Sequence, residues 1–472
     1  MPDVIAKSGS PFPQRRWLLL TVCLGAFMAT LDTSIVNIAL PQIARDFGGS
    51  LAQISWVVMA YLLTNASLLI TSGRLGDLLP PGRLFFLGMT VFTGASALCG
   101  LSPNLTWLIA SRLLQGMGAA VMLGVAPKII ALTYGLGERG FALGLLSASF
   151  ATGISVGAPL GGAITAYLGW PYIFFINLFI CGPALMLGRR PLKSLRPLAP
   201  WNWQSFDLPG SLILAASLGL LILGLSRLRE TGGQDLWTVG ALGGAAFSFG
   251  ILLLVERRQA VPLIHLELWQ SWPFVVGSVT VVLTFAAVMG TFFLLPFFLE
   301  QIYHYSPSQT GLLLATLSLT NALVSPLGGY LADRLGNMLI LRIGSTLVLL
   351  GLSTLWLAGP VLSALGLAGR LALIGLGFGL FQAPNLNEIL RGVPPSLVGL
   401  AASTNAALKN LGALLGISLL VIIFAGANLH EVRLNPGVCL DLSCFQRAFA
   451  VAVGVGALNL LTNLLPRKTL KN

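Results

Sequence analysis

Asp32 lies in the stretch Leu31–Pro41, LDTSIVNIALP, within an apolar run that begins at Trp17. An ionisable side chain at the centre of a membrane helix costs about 2.5–3.5 kcal/mol on insertion scales, so it marks a functional site unless it reaches the headgroups. Ile35, Val36, Ile38, Ala39 and Leu40 carry the run on past it, which argues against a headgroup position. Arg112 belongs to a run that crosses in the opposite direction. Each charge stands about six residues from the outer end of its run, or ~9–10 Å deep at 1.5 Å per residue. Equal depth makes them partners, and pairing is how intramembrane charges are tolerated. A permanent pair would be structural. A pair that breaks when Asp32 takes a proton would be a working part, because a carboxylate facing an arginine gives up its proton and one in dry surroundings keeps it. The working pair is the stronger of the two readings.

Further charges stand near the ends of other runs. Asp77 with Arg83, and Asp333 with Arg334, are either interfacial caps or matched inner charge latches between helices; their recurrence in both halves favours latches. Lys409 and Asn410, with Asn405 about a turn earlier, lie a dozen residues into their run. That depth favours a cavity over snorkelling. Asn37 is a further cavity candidate. Glu300 and Glu388, near helix ends, read as interfacial. Gly153, Gly157, Gly161 and Gly162 surround Pro159 in one run: glycines four apart let helix backbones approach, and the proline bends the helix and frees a carbonyl. Packing explains this, and so does a bend for rocking. Phe27, Trp56, Tyr61, Phe285, Phe292 and Phe293 either line an apolar cavity or face lipid.

Other chemistries find no support. There is no G-x-x-x-x-G-K-[ST], so ATP does not drive this chain directly. Gly375–Gly379, GLGFG, lies inside a spanning run and is no dinucleotide fingerprint. His265, His304 and His430 are too scattered to suggest a metal, and no nucleophile–base set stands out. No cofactor and no enzymatic activity are expected.

The elements that must hold these residues follow from composition. Of 472 residues, 56% are hydrophobic and 9% charged, with mean hydropathy +0.87; a soluble chain would carry about 25% charged residues. Lipid must therefore solvate most of the chain. The net charge of +12 raises nucleic acid as a partner, but the basic residues sit in short loops between apolar runs, which is a topology signal. Cys23, Cys99 and Cys181 fall inside apolar runs as small packing residues. Cys439 and Cys444 share a loop, and their pairing stays open. Arg15-Arg16 before an apolar stretch resembles a signal peptide, yet the run is too long and lacks a small-residue cleavage site, so a retained first helix is expected.

Spans of about 17–25 apolar residues are predicted at 17–41, 52–73, 83–101, 105–127, 140–166, 170–188, 208–226, 236–255, 272–299, 308–332, 338–358, 368–390, 397–425 and 446–465. With the N-terminus inside, nineteen Lys and Arg fall on inner segments and six on outer ones, which fits fourteen spans with both termini cytoplasmic. An internal repeat accounts for most of them. Gly73 and Asp77 recur 256 residues later as Gly329 and Asp333, and Arg112 and Pro127 recur as Arg370 and Pro384. Parallel repeats are a known transporter architecture. The expected fold is all-α membrane: two pseudo-symmetric six-helix bundles, residues 1–190 and 272–472, with a linker at 191–271 that carries two inserted transmembrane helices.

With these residues in place, the chain resembles the fourteen-helix drug:proton antiporters of the major facilitator superfamily over nearly its whole length. LDTSIVNIALP matches that family's helix 1 motif and implies proton coupling at Asp32. Leu108–Ala120, LIASRLLQGMGAA, matches the helix 4 motif and implies Arg112 as the basic partner. Gly153–Gly162 resembles the helix 5 antiporter motif, and Trp170–Asn177, WPYIFFIN, its continuation. Two departures stand out. GRLGDLLPPGR replaces the usual G-x-L-x-D-R-x-G-R-[KR]-R, with Leu78, Pro80 and Pro81 where Arg, Gly and Arg are usual. Ala158 stands where proline is usual, with Pro159 next.

The resemblance implies a proton-coupled exporter of lipophilic, cationic or amphipathic compounds working by alternating access in the cell membrane. A small lipophilic substrate, protons and the lipid bilayer would be its partners, with no nucleic acid, and the chain would act as a monomer. The same fold used as an uptake symporter or lipid flippase, and a non-transporting membrane sensor or scaffold, are the alternatives.

Overall fold

The computed structural model describes residues 12–193, 208–231, 235–256, 266–391, 393–394, 397–426 and 442–465. Among the described residues there are helices and no strands: α1 (Phe12–Phe47), α2 (Leu51–Leu78), α3 (Pro81–Gly100), α4 (Leu105–Thr133), α5 (Leu136–Tyr167), α6 (Tyr172–Lys193), α7 (Leu208–Thr231), α8 (Leu236–Glu256), α9 (Leu266–Gln270), α10 (Trp272–Ile302), α11 (Pro307–Leu335), α12 (Asn337–Trp356), α13 (Ala364–Arg391), α14 (Val398–Gly426) and α15 (Leu442–Leu464). Each expected span falls on one of them. Thirteen are long and apolar enough to cross a membrane, while α7 carries a shorter apolar stretch, Leu212–Leu225. Phe141, Phe179, Met186, Trp237, Phe247 and Leu323 stand exposed on the outside of the helices, where only an apolar solvent would suit them.

The first helix is longer than its apolar run. Pro41 lacks the N–H for one helical bond, yet α1 passes through it to Phe47, held by the buried Leu40 and Ile43 beside it. Asp32 therefore lies fifteen residues before the end of its helix rather than six.

The repeat extends to the way helices begin. Ser50 caps α2, accepting from the Gln53 amide while the Gln53 side chain accepts from the Ser50 amide. Ser306 and Gln309 do the same for α11, again 256 residues on. Such reciprocal caps satisfy two otherwise unpaired donors. Packing repeats as well: α2 and α3 pack on α4 as α11 and α12 pack on α13, and α3 packs on α6 as α12 packs on α15. Between the two sets, α5 packs on α11 and α2 on α14; α7 and α8 pack on each other, with α7 also touching α2 and α14.

Several contacts join the first half to the second. Arg45 pairs with Glu300 at 3.2 Å, at the end of the molecule where α1 turns into α2. Near that end the α5–α11 crossing is so close that a Cβ on Gly162 or Gly311 would strike the opposite backbone. At mid-depth the Asn37 amide donates to the Phe292 carbonyl at 2.7 Å, Ser155 to the Ser318 carbonyl at 3.2 Å, and Asn410 to the Asn65 side chain at 3.0 Å.

Candidate functional site

Asp32 is fully buried, and so are the side chains that hold it. Arg112 Nη1 donates to its Oδ2 at 2.5 Å. Gln115 Nε2 and Asn177 Nδ2 donate to its Oδ1 at 2.7 and 2.8 Å. Arg112 and Gln115 stand three apart on α4, so they share a face, and Arg112 Nη1 also donates to Gln115 Oε1 at 2.5 Å. Ser96 of α3 accepts from both Gln115 and Asn177. From α2, the Val57 carbonyl accepts from Arg112 Nε at 2.9 Å, and the Tyr61 ring lies 4.4 Å from the guanidinium carbon. Five helices thus converge on one carboxylate.

Removing two ions from water costs several kcal/mol each, repaid only when their remaining hydrogen-bonding groups are satisfied. Here that satisfaction is nearly complete: Arg112 Nη2 and Asn177 Oδ1 are buried without a hydrogen-bond partner. If a proton displaced Arg112 from Asp32, the guanidinium would still have the Val57 carbonyl, the Gln115 amide oxygen and the Tyr61 ring.

The α5 glycines set α5 on the helix that carries Asp32. Added Cβ atoms on Gly153, Gly157 and Gly161 would meet Phe27, Thr30, Leu31, Ser34 and Ile35 of α1, and Gly162 would meet Pro307 and Gly311 of α11. Ser34 donates to the Ile154 carbonyl at 3.0 Å across the first contact. Pro159 lies inside α5. One helix therefore touches both the acid's own helix and the opposite half.

The remaining candidates separate. Asn37 and Asn410 bond across the halves as described. Lys409 lies over the Phe285 ring at 5.4 Å, with Nζ 3.4 Å from Gln382 Oε1. Phe293 is 1% exposed and belongs to the core, not to a cavity wall. The Asp77 side chain, and with it the expected latch to Arg83, lies outside the described residues; at the second expected latch Asp333 and Arg334 are both exposed. Arg334 stacks 4.5 Å from the ring of Tyr330 on its own helix. Water screens charges this exposed, which leaves little to hold them together.

Of the two glutamates near helix ends, Glu388 is buried and Glu300 half-buried, and both are partnered. Glu388 accepts from Asn337 at 2.9 Å and pairs with Arg391 at 3.7 Å, beside a cleft of about 620 Å³ that Asp333 and Arg342 also line. Glu300 joins Arg45. Cys439, and with it the pairing to Cys444, lies outside the described residues.

Gln115, Ser96 and Asn177 are the site residues not singled out from sequence. Gln115 and Asn177 fall within the two motif stretches LIASRLLQGMGAA and WPYIFFIN, which are the signal that could have drawn attention to them. Ser96 carried no signal.

Residues 22–417 match the family described as the Major Facilitator Superfamily. The chain is 34% identical to the riboflavin transporter RibZ of Clostridioides difficile (strain 630), over 97% of this chain and 99% of that one. It is 32% identical to the tetracenomycin C resistance and export protein of Streptomyces glaucescens, over 88% and 76%. A bacterial homologue of the human lysosomal transporter Spinster, in an inward-facing and occupied conformation, shares the fold, with a TM-score of 0.65 at 17% identity over 96% of this chain and 97% of that one. The protein belongs to the Major Facilitator Superfamily. It is a multi-pass membrane transporter and not an enzyme.

Proposed function

We propose that this transporter is a proton-coupled exporter of small lipophilic or amphipathic compounds that works by alternating access. It acts as a monomer in the cell membrane, with fourteen spans and both termini cytoplasmic. Residues 1–190 and 272–472 are the two rocking halves, and 191–271 is the linker carrying the inserted helices. Its partners are the substrate, protons and the bilayer, with no nucleic acid and no cofactor.

The observation that carries this proposal is the fully buried Asp32–Arg112 pair, caged by neutral donors inside a membrane protein. Protonation of Asp32 weakens its hold on Arg112, α1 shifts against α4 and α5, and α5 passes the movement to α11. With the Arg45–Glu300 end taken as the outer one, the halves as described are joined outside and the substrate path opens to the cytoplasm. The export named for the tetracenomycin relative supports the direction.

The test is transport in everted membrane vesicles with an imposed proton gradient and two aromatic dyes of opposite charge, fluorescein and ethidium, as reporters. Wild type should accumulate at least one dye only with the gradient, and Asp32→Asn should insert normally yet lose gradient-driven flux. Full flux in Asp32→Asn would refute the assignment. The likeness to a riboflavin transporter favours a second reading, the same machinery carrying a planar heteroaromatic nutrient. Riboflavin flux in those vesicles, scored for direction, separates the two.

A further inference from the structure

We infer that Lys409, with Gln382, Asn321 and Phe285, forms a subsite for the anionic group of an aromatic substrate. Four helices place these residues together at mid-depth in the second half. Lys409 of α14 reaches Gln382 Oε1 of α13 at 3.4 Å, and Gln382 Nε2 donates to Asn321 Oδ1 of α11 at 3.1 Å. Phe285 of α10 lies 5.4 Å below the ammonium and meets Phe378 edge-on at 5.1 Å. Asn405, one helical turn before Lys409, keeps a buried side-chain oxygen without a hydrogen-bond partner.

Charge balance supplies the argument. An ammonium has three donors, and this one has a single long bond to a neutral amide and an aromatic ring. Among the described residues no carboxylate lies within 4.0 Å of it. The acid at comparable depth is Asp32, walled in by Arg112, Gln115 and Asn177. Glu300 and Glu388 lie towards helix ends and are paired with Arg45 and Arg391. A cation arriving between the halves would therefore meet a bare positive charge, whereas a carboxylate or phenolate would neutralise it. The half-buried Phe285 beside it, backed by the buried Phe378, offers its ring to an aromatic body.

This subsite rests on the chain being a transporter but not on proton coupling, so equilibrium binding tests it without a gradient. Fluorescein and rhodamine 6G share a xanthene ring and carry opposite charge; each is titrated by fluorescence polarisation against protein in nanodiscs. Wild type should bind fluorescein in preference to rhodamine 6G. Lys409→Met should weaken fluorescein at least about tenfold, the scale of a lost charge-assisted bond, without weakening rhodamine 6G. Lys409→Arg should retain fluorescein binding. Gln382→Glu, which supplies the missing carboxylate, should weaken fluorescein independently of any folding defect in the methionine variant. Preference for rhodamine 6G, no fluorescein binding by wild type, or equal fluorescein affinity in wild type and both charge-altering variants would overturn the subsite. Charge-selective binding alongside absent proton-driven flux would leave the subsite standing and remove only the coupling.

Discussion

Val288 occupies the position 256 residues after Asp32, while Arg370 stands where the repeat places the counterpart of Arg112. The second half thus keeps the base and lacks the acid, so the buried acid–base pair is confined to one half. Losing either member of the first-half pair has unequal consequences. Arg112→Ala leaves a buried carboxylate with two amide donors, and breaking a buried pair in this way costs about 3–5 kcal/mol. Asp32→Asn leaves the arginine its Val57 carbonyl, Gln115 oxygen and Tyr61 ring. Thermal unfolding in detergent should therefore fall clearly further for Arg112→Ala than for Asp32→Asn; an equal fall would contradict the cage. Asp32 and Arg112 were legible in the sequence because a charge inside an apolar run has few structural excuses. Ser96, Gln115 and Asn177 were not, since neutral polar residues in membrane helices commonly bond their own backbone, as Thr21 and Ser67 do here, and spacing alone does not say which turn faces in.

At the scale of elements, α5 is the piece that connects the acid to the other half. Gly162→Leu should lower thermal stability and slow transport, because its side chain would strike the Pro307 and Gly311 backbone, whereas Gly144→Leu, facing open space, should change neither. Comparable losses at both positions would mean that close approach to α11 does not set the requirement. The Arg45–Glu300 bridge between α1 and α10 makes a second contrast. Arg45 is 65% exposed and Glu300 6%, so the pair itself is worth little. Arg45→Ala strands a nearly buried carboxylate, while Glu300→Gln removes the charge altogether. Disulfide trapping of cysteines placed across this end should therefore fall more for Arg45→Ala than for Glu300→Gln, and the reverse order would deny the bridge its closing role. Helix positions were largely legible from apolar run length. Their ends were less so, because apolarity stops at the membrane surface while α1 continues through Pro41 on packing that no run length encodes.

For the whole molecule, the repeat was visible from a few glycines and aspartates and proved to reach down to the capping boxes at Ser50 and Ser306. The packing of α7 against α2 and α14, which sets the inserted pair beside the contact between the halves, was not visible, because the charges of α7 and α8 sit at the helix ends and no motif names their neighbours. In the proposed cycle, protonation of one carboxylate is tied to the way these halves meet. Infrared difference spectra of the reconstituted protein between acid and alkaline pH test this directly, since a protonated carboxyl group has its own carbonyl band. Wild type should show a band that Asp32→Asn lacks, accompanied by amide changes that vanish with it. Superimposable wild-type and Asp32→Asn spectra would contradict the account.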